Sequence, residues 1–311
     1  MKKTLIQNSI QKIRACTPLS LRRSIGPWIA LLVYNFNLYV NKNYKRPKVL
    51  SINDTIDLVI KKKLSVVRFG DGEMSLIGNC DLSFQNVDQE LNKKLALVLQ
   101  SNLSGLLVCI PGIWGDIRIF TKRSYWFVLH HLFKYGPLWY SLLSFDRAYG
   151  DAHITRPYLA FVDKTNCGQV FKKLFLIWKD QDVILIEGEK SRLGVGNDMF
   201  DNVRSLQRIL CPAEDAFLKY DQIKSEAIKI PKNKIILISL GPTAKPLTYD
   251  LFLLGYRVID IGHIDMEYEM FLRKETQLVK VEYKYFNELN ERNPEVCDDP
   301  KYMSQIIARI V

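Results

Sequence analysis

The sequence predicts a single α/β domain with a mostly parallel sheet over residues 48–311, preceded by a basic amphipathic N-terminal helical arm over residues 1–47. Three observations carry this. Short β-branched runs are apolar at every position rather than at alternate ones, as in strands covered on both faces. Helical stretches separate those runs, the pattern of a parallel sheet with helical crossovers. No repeat, low-complexity tract or Ser- or Pro-rich linker divides residues 48–311.

In chain order, LSVVRF (64–69) is a buried strand ended by the turn Gly70-Asp71-Gly72. Residues 85–101 read as a helix, and LLVCI (106–110) as a strand stopped by Pro111-Gly112. Aromatic-rich helical segments fill 117–146. VILIE (183–187), IILISL (235–240) and RVIDI (257–261) are further strands, with helices expected near 198–211, 213–227 and 243–255. Ligands of open parallel sheets bind outside the carboxyl ends of the strands, so the loops after these runs hold the candidate site.

Charge divides the chain in two. Residues 1–48 hold ten Lys and Arg and no acid, the first carboxylate being Asp54. That leaves 34 of the 44 basic side chains against all 33 acidic ones, so the net charge of +11 belongs almost wholly to the arm. A nucleic-acid enzyme would line its main cleft with positive charge, and this body has none to spare, so no nucleic-acid partner is expected. Within the arm, Ile6, Ile10 and Ile13 recur at helical spacing, and an apolar aromatic stretch follows over 27–40. At 14 residues, interrupted by Asn35 and Asn37, that stretch is too short and too polar to span a bilayer. It also lacks a secretory cleavage pattern. Basic residues flanking an apolar face suit an anionic membrane surface; a helical arm packed on the body and an organelle transit peptide are the alternatives. The six scattered Cys have no metal-ligand spacing and read as reduced cytosolic thiols. The expected location is therefore the cytoplasm, peripheral on the inner face of the membrane.

Four strand-end loops carry polar or glycine-rich residues. After the first strand come Arg68, Gly70, Asp71 and Glu73. Two carboxylates one residue apart in a tight loop suit a hard divalent cation such as Mn²⁺ or Mg²⁺. They equally suit a plain turn with Glu73 opening a helix. The loop after 183–187 contains Arg192, Gly194, Gly196, Asn197 and Asp198, and the loop after 235–240 contains Gly241, Thr243 and Lys245. Either loop can bring backbone N–H groups to phosphate, yet neither passes a motif test. Met199 stands where a dinucleotide fingerprint needs Gly, and GPTAKPLT lacks the Gly-Lys-Ser/Thr ending of a Walker loop. His263, Asp265, Glu267 and Glu269 follow the last strand. His263 and Asp265 are candidate bases, and at least one of Glu267 and Glu269 is expected in solvent because they do not share a helix face. His130, His131 and His153 read as structural.

The segments SVVRFGDGEMSLI (65–77), YGDAHITRPYLAF (149–161), 187–212 and 240–272 together resemble, in matching order, the bacterial GT-D fold glycosyltransferases. The resemblance covers residues 50–285 and leaves the arm outside. It implies a single Rossmann-like domain, a D-x-E carboxylate pair at Asp71 and Glu73, and transfer of a hexose from a nucleotide diphosphate sugar to a glycan or lipid-linked acceptor. The metal would offset charge on the diphosphate, with Arg68, Arg192 or Lys245 adding cationic contacts. A nucleotide-sugar hydrolase using the same carboxylates and a non-catalytic nucleotide- or glycan-binding module are the competing readings.

Overall fold

Neighbouring residues on each central strand feed opposite apolar layers, which explains runs that are apolar throughout. The computed structural model describes residues 45–289 and 294–310. Its strands are β1 (Lys48–Val49), β2 (Ser65–Arg68), β3 (Leu106–Ile110), β4 (Ala148–Asp151), β5 (Asp182–Gly188), β6 (Ser205–Cys211), β7 (Ile235–Ser239), β8 (Arg257–Asp260) and β9 (Ile306–Arg309). They form one nine-stranded sheet in the order β1-β4-β3-β2-β8-β7-β5-β6-β9, with every pairing parallel.

One face buries Val67, Val108, Ile184, Ile186, Ile236 and Ile238 against α2 (Asp71–Ile77), α3 (Gln89–Gln100), α4 (Lys122–Leu142), α6 (Tyr220–Ala227) and α7 (Ala244–Leu253). The other buries Val66, Leu107, Val183, Leu185, Leu237 and Ile259 against α1 (Ile52–Lys62), α5 (Cys167–Phe175) and α8 (Ile264–Leu272). A short α9 (Pro300–Gln305) leads into β9. Residues 1–44 of the predicted arm lie outside the described residues. No helix among the described residues is long and apolar enough to cross a membrane.

Helix starts follow side-chain caps. Asp88 accepts from the N–H groups of Glu90 and Leu91, so α3 begins at Gln89 and 81–88 is left as a loop. Thr121 accepts from Ser124 and starts α4 after a 3₁₀ turn at Ile117–Ile119. The stretch 198–211, expected to be helical, is a correction: turns lead into β6. The reason is Arg208, which is buried and hydrogen-bonds Glu187 on β5 and Gln305, so a charged residue points into the layer beside the sheet. Strands β1, β4 and β9 are short sequences without a long apolar run and were not anticipated.

Within α4, the Trp139 indole N–H donates to His131 Nε2 at 2.8 Å. Burial, then the neighbouring His130 and Lys134, push the His131 pKa down to about 4. The unfolded chain therefore takes up this proton first as acid is added. The stabilisation is complete above pH 6.5 and is lost as pH falls from 6.5 towards about 4. A shift of this size is worth on the order of 3 kcal/mol. His131→Gln, which leaves an acceptor for the indole, should flatten that part of the stability–pH curve, as read by denaturant unfolding at pH 7, 5.5 and 4.5.

Candidate functional site

Two points on the sheet have strands whose onward connections run in opposite directions. The chain passes from β2 to β3 on one side and from β8 towards β9 on the other; likewise it passes from β7 to β8 and from β5 to β6. Beyond the carboxyl ends of such strands the helices part and leave a crevice.

At the β2–β8 point lies a buried group of two cations and two carboxylates. The Arg68 backbone N–H donates to Asp260 Oδ2 at 3.1 Å, its Nε to the Asp260 carbonyl at 2.8 Å, and its Nη2 to Oδ1 at 3.1 Å. Lys245 Nζ sits 2.8 Å from Glu73 Oε1 and 3.3 Å from Asp260 Oδ2, and donates to the Gly241 carbonyl at 3.0 Å. Glu73 Oε2 accepts from the Gly70 N–H at 2.7 Å. Desolvation alone would raise the Asp260 carboxyl, but Arg68 and then Lys245 hold it below the usual carboxylate range. Charges this deep are tolerated only when paired and hydrogen-bonded. Arg68 and Lys245, expected as free cationic contacts for a diphosphate, are thus committed to protein carboxylates. Gly262 completes the seat: its φ is +42°, and a Cβ there would lie 1.9 Å from Arg68 Nη2.

Asp71 opens α2 beside this group and is exposed. Crowding by the surrounding protein, followed by the Glu73 charge, raises its carboxyl above the usual range. Arg156 opposes that rise, and itself pairs with Glu288 at 2.9 Å and Glu267 at 3.5 Å. His263 precedes α8 with its Nε2 2.9 Å from Asn287 Oδ1. Burial, then the Arg156 charge, push His263 down to about 4. Among the described residues no three His, Cys, Asp or Glu side chains form a ready-made metal cage. The donor chemistry still fits a hard cation at Asp71, whose carboxylate is exposed beside a second negative charge. Glu73 already has a partner on each oxygen.

At the β7–β5 point an open cleft is lined by Phe84, Gly188, Ser239, Gly241, His263 and Tyr285, among others. The 81–88 loop is pinned beside it. The Asp215 carboxylate accepts from Asn86 N at 2.7 Å, Asn86 Nδ2 at 2.6 Å and Gln85 Nε2 at 3.3 Å, while the Thr243 hydroxyl donates to Gln85 Oε1 at 3.3 Å. Gly241, at φ +51°, lets the Phe84 ring close in: a Cβ would stand 2.9 Å from it.

The remaining predicted residues are tied elsewhere, and this is a correction. Asp265 is buried, accepting from Lys284 Nζ at 2.8 Å, Gly194 N at 2.9 Å and Asn197 Nδ2 at 2.9 Å, so both of its oxygens are engaged by the protein. Asn197 also donates to Glu269 at 2.7 Å, and Asp198 accepts from the Tyr268 hydroxyl at 2.7 Å. Arg192 donates to the carbonyls of Tyr283 and Glu295. Gly196, at φ +79°, turns the same loop. Neither Glu267 nor Glu269 is in solvent: Glu267 accepts from the N–H groups of Tyr158 and Leu159, and Glu269 from Lys284. The structure thus gathers Arg68, Gly70, Asp71, Glu73, Gly241, Thr243, Lys245 and His263 at one edge and uses Arg192, Asn197, Asp198 and Asp265 as fastenings. Sequence reasoning passed over Asp260, Arg156, Phe84, Asn287 and Glu288. A carboxylate inside the apolar run RVIDI was the available signal for Asp260.

Two substitutions test the buried group. Lys245→Met leaves two carboxylates short of a cation and should cost about 3–5 kcal/mol. Gly262→Ala should be destabilising by more than about 2 kcal/mol, because a positive φ and a filled site act together. Urea unfolding at neutral pH reads both; a loss under 1 kcal/mol in either contradicts the account.

Residues 66–289 match the family model described as Glycosyltransferase GT-D fold. The chain is 40% identical over 271 residues to the Probable glycosyl transferase Gly of Streptococcus gordonii, covering 84% of this chain and 39% of that protein. It is 38% identical over 266 residues to Glycosyltransferase GlyD of Streptococcus pneumoniae serotype 4, covering 85% of this chain and 33% of that one. It therefore spans between a third and two fifths of the length of these relatives. Among solved structures, a new glycosyltransferase of the domain of unknown function 1792 from Streptococcus sanguinis superposes with a TM-score of 0.81 at 38% identity, over 86% of this chain and all of that one. A second structure, reported as showing that this domain has a distinct glycosyltransferase fold, gives 0.82 at 36% identity over 86% and 97% of the two chains. With its all-parallel sheet and a family match over most of its length, the chain belongs to the glycosyltransferase GT-D fold family.

Proposed function

We propose that the chain is a metal-dependent glycosyltransferase that moves a hexose, glucose or galactose, from a UDP-linked donor to a glycan or lipid-linked acceptor in cell-surface polysaccharide or glycoprotein assembly. The observation that carries this reading is the exposed Asp71 standing beside the β2–β8 charge group, next to a cleft that opens at the neighbouring β7–β5 point.

The half-buried Phe84 and the buried Tyr285 offer apolar ring surface for a nucleoside. Asp71 would hold a Mn²⁺ or Mg²⁺ ion, with phosphate oxygens and water filling the shell. When bound, the ion neutralises charge developing on the departing diphosphate. Lys245 holds Glu73, and Glu73 holds the Gly70 N–H, so the turn that presents Asp71 is fixed before substrate arrives. The role of Arg68 follows from its contacts: it supports Asp260 and, through it, Lys245, rather than touching the donor.

Asp71→Asn should lower transfer by at least 100-fold with the unfolding midpoint unchanged, since a neutral amide is a poorer ligand for a hard cation. EDTA should stop transfer, and Mn²⁺ or Mg²⁺ should restore it. The assay is a panel of UDP, GDP and dTDP sugars with and without acceptor. Turnover that persists in chelator removes the metal from the reaction, and donor cleavage that ignores acceptor identifies a hydrolase instead.

The acid-free arm, whose residues 1–44 lie outside the described residues, would hold the enzyme at an anionic membrane face where lipid-linked acceptors reside. Each Lys or Arg near such a surface contributes about 1 kcal/mol. Salt screens that attraction but not the burial of Trp28, Leu31, Leu32 and Phe36. The full-length chain should therefore sediment with phosphatidylserine vesicles in a way that weakens, without vanishing, as salt rises. No sedimentation at low salt contradicts the anchor.

A further inference from the structure

We propose that His153, oriented by Asp151, is the base that takes the proton from the acceptor hydroxyl. This rests on the sugar-transfer reading above and supplies the group that reading still lacks.

Asp151 is the last residue of β4, and His153 lies two residues beyond, on the same sheet edge as Arg68 and Asp71. β4 is two strands from β2, so the two strand ends stand roughly 10 Å apart. Arg68 narrows the gap by reaching the Ala152 carbonyl with Nη1 at 3.4 Å. The Asp151 carboxylate accepts from the backbone N–H of His153 at 2.8 Å and lies 2.8 Å from His153 Nδ1, both through Oδ1. An ionised carboxylate only accepts, so Nδ1 carries the proton and Nε2 presents a lone pair. That is how a carboxylate prepares an imidazole to act as a general base.

The mounting of this pair is tight. The Asp151 N–H donates to Thr55 Oγ1 at 2.9 Å. Gly112, just past β3, leaves room for the carboxylate: a Cβ there would lie 2.6 Å from Asp151 Oδ2. Gly150 carries no side chain because Cys109 Sγ would stand 2.4 Å from its Cβ. The His153 side chain remains 16% exposed. Its ring packs against the buried Phe120 at 5.5 Å and the partly buried Phe161 at 5.4 Å, which fix its plane.

Other candidates are disabled by their contacts. Asp265 is engaged by Lys284, Gly194 and Asn197, and Glu267 by the N–H groups of Tyr158 and Leu159 and by Arg156. His263 is tied through Nε2 to Asn287, and burial with the Arg156 charge makes it a weak base at neutral pH.

In the proposed step the acceptor O–H bond breaks and its proton passes to His153 Nε2. The oxygen bonds to the anomeric carbon on the face opposite the diphosphate. The bond from that carbon to the diphosphate oxygen breaks, its electron pair leaving with the nucleoside diphosphate. Asp151 stabilises the imidazolium until the proton returns to solvent. The product has inverted anomeric configuration.

The test uses the full-length chain, UDP-, GDP- and dTDP-hexoses, and a panel of p-nitrophenyl glycoside acceptors. His153→Ala and His153→Gln should each lower kcat by about 10²–10³-fold with the donor KM within about twofold. Added imidazole should restore part of the His153→Ala loss. Asp151→Asn should lower kcat by about tenfold or more, again without moving the donor KM. NMR of the product should show inversion, a readout that stands even if a variant fails to fold. Three results overturn the assignment while leaving the transfer reading intact: wild-type retention of configuration, a kcat loss under threefold in both His153 variants, or a loss confined to donor KM. A wild-type chain that transfers from none of these donors overturns the transfer reading, and the assignment falls with it.

Discussion

The ion-paired group joining β2 to β8 is the constraint on which the rest of the edge depends. Burying Arg68, Asp260, Lys245 and Glu73 together would be prohibitive unless each charge met an opposite one at hydrogen-bond distance. Once that condition is met, the group fixes three loops at once. Arg68 ends β2, Asp260 ends β8, and Lys245 comes from the first turn of α7 after β7. Glu73 then carries the constraint into α2 and sets where Asp71 stands. A hydrophobic plug of the same volume would be as stable or more so, but it would not dictate the angle of the Gly70–Glu73 turn. The group is therefore better understood as a device for position than for stability.

A second set of ties closes the edge from the carboxyl-terminal side. Residues 283–288 cross the strand ends and are held by polar contacts and by the buried Phe286. Lys284 bonds Asp265 and Glu269, Tyr285 N donates to the Lys190 carbonyl, Asn287 meets His263, and Glu288 meets Arg156. Arg192 reaches the Tyr283 carbonyl from the facing loop. The glycine-containing loop after β5, which reads in sequence as a phosphate cradle, instead uses its polar atoms to fasten α8 and, through Arg192, this segment. One side of the cleft is thus built from the chain between α8 and α9, far in sequence from the strands that define the crevice.

The difference between what the sequence predicted and what the structure holds follows from this arrangement. Five strands were legible because residues such as Val66 and Val67 feed opposite layers, which no exposed strand can imitate. β6 was misread because Arg208 and Gln207 break its apolar run, and nothing local announces that Glu187 waits across the sheet to neutralise the arginine. Asp71 and Glu73 were legible as a pair because they follow a buried strand and fall in a block that resembles the family; the local spacing alone suits a plain turn as well. Their division of labour was not, because the partners Lys245 and Asp260 lie about 170 and 190 residues away. The same applies to Asp265: a strand-end carboxylate looks available until Lys284 is placed against it.

His153 and His263 show the same dependence on their partners. Both are histidines just beyond a strand end, and composition and spacing do not separate them. Their environments do. His263 is enclosed, faces the Arg156 guanidinium and gives Nε2 to an amide oxygen, so burial and a like charge both oppose protonation. His153 gives Nδ1 to the Asp151 carboxylate, which leaves the opposite nitrogen open. A base must be held with one nitrogen free to receive a proton. The Asp151 carboxylate, clamped by Thr55 and seated against Gly112, holds His153 through Nδ1 and leaves Nε2 free, whereas Asn287 occupies Nε2 of His263.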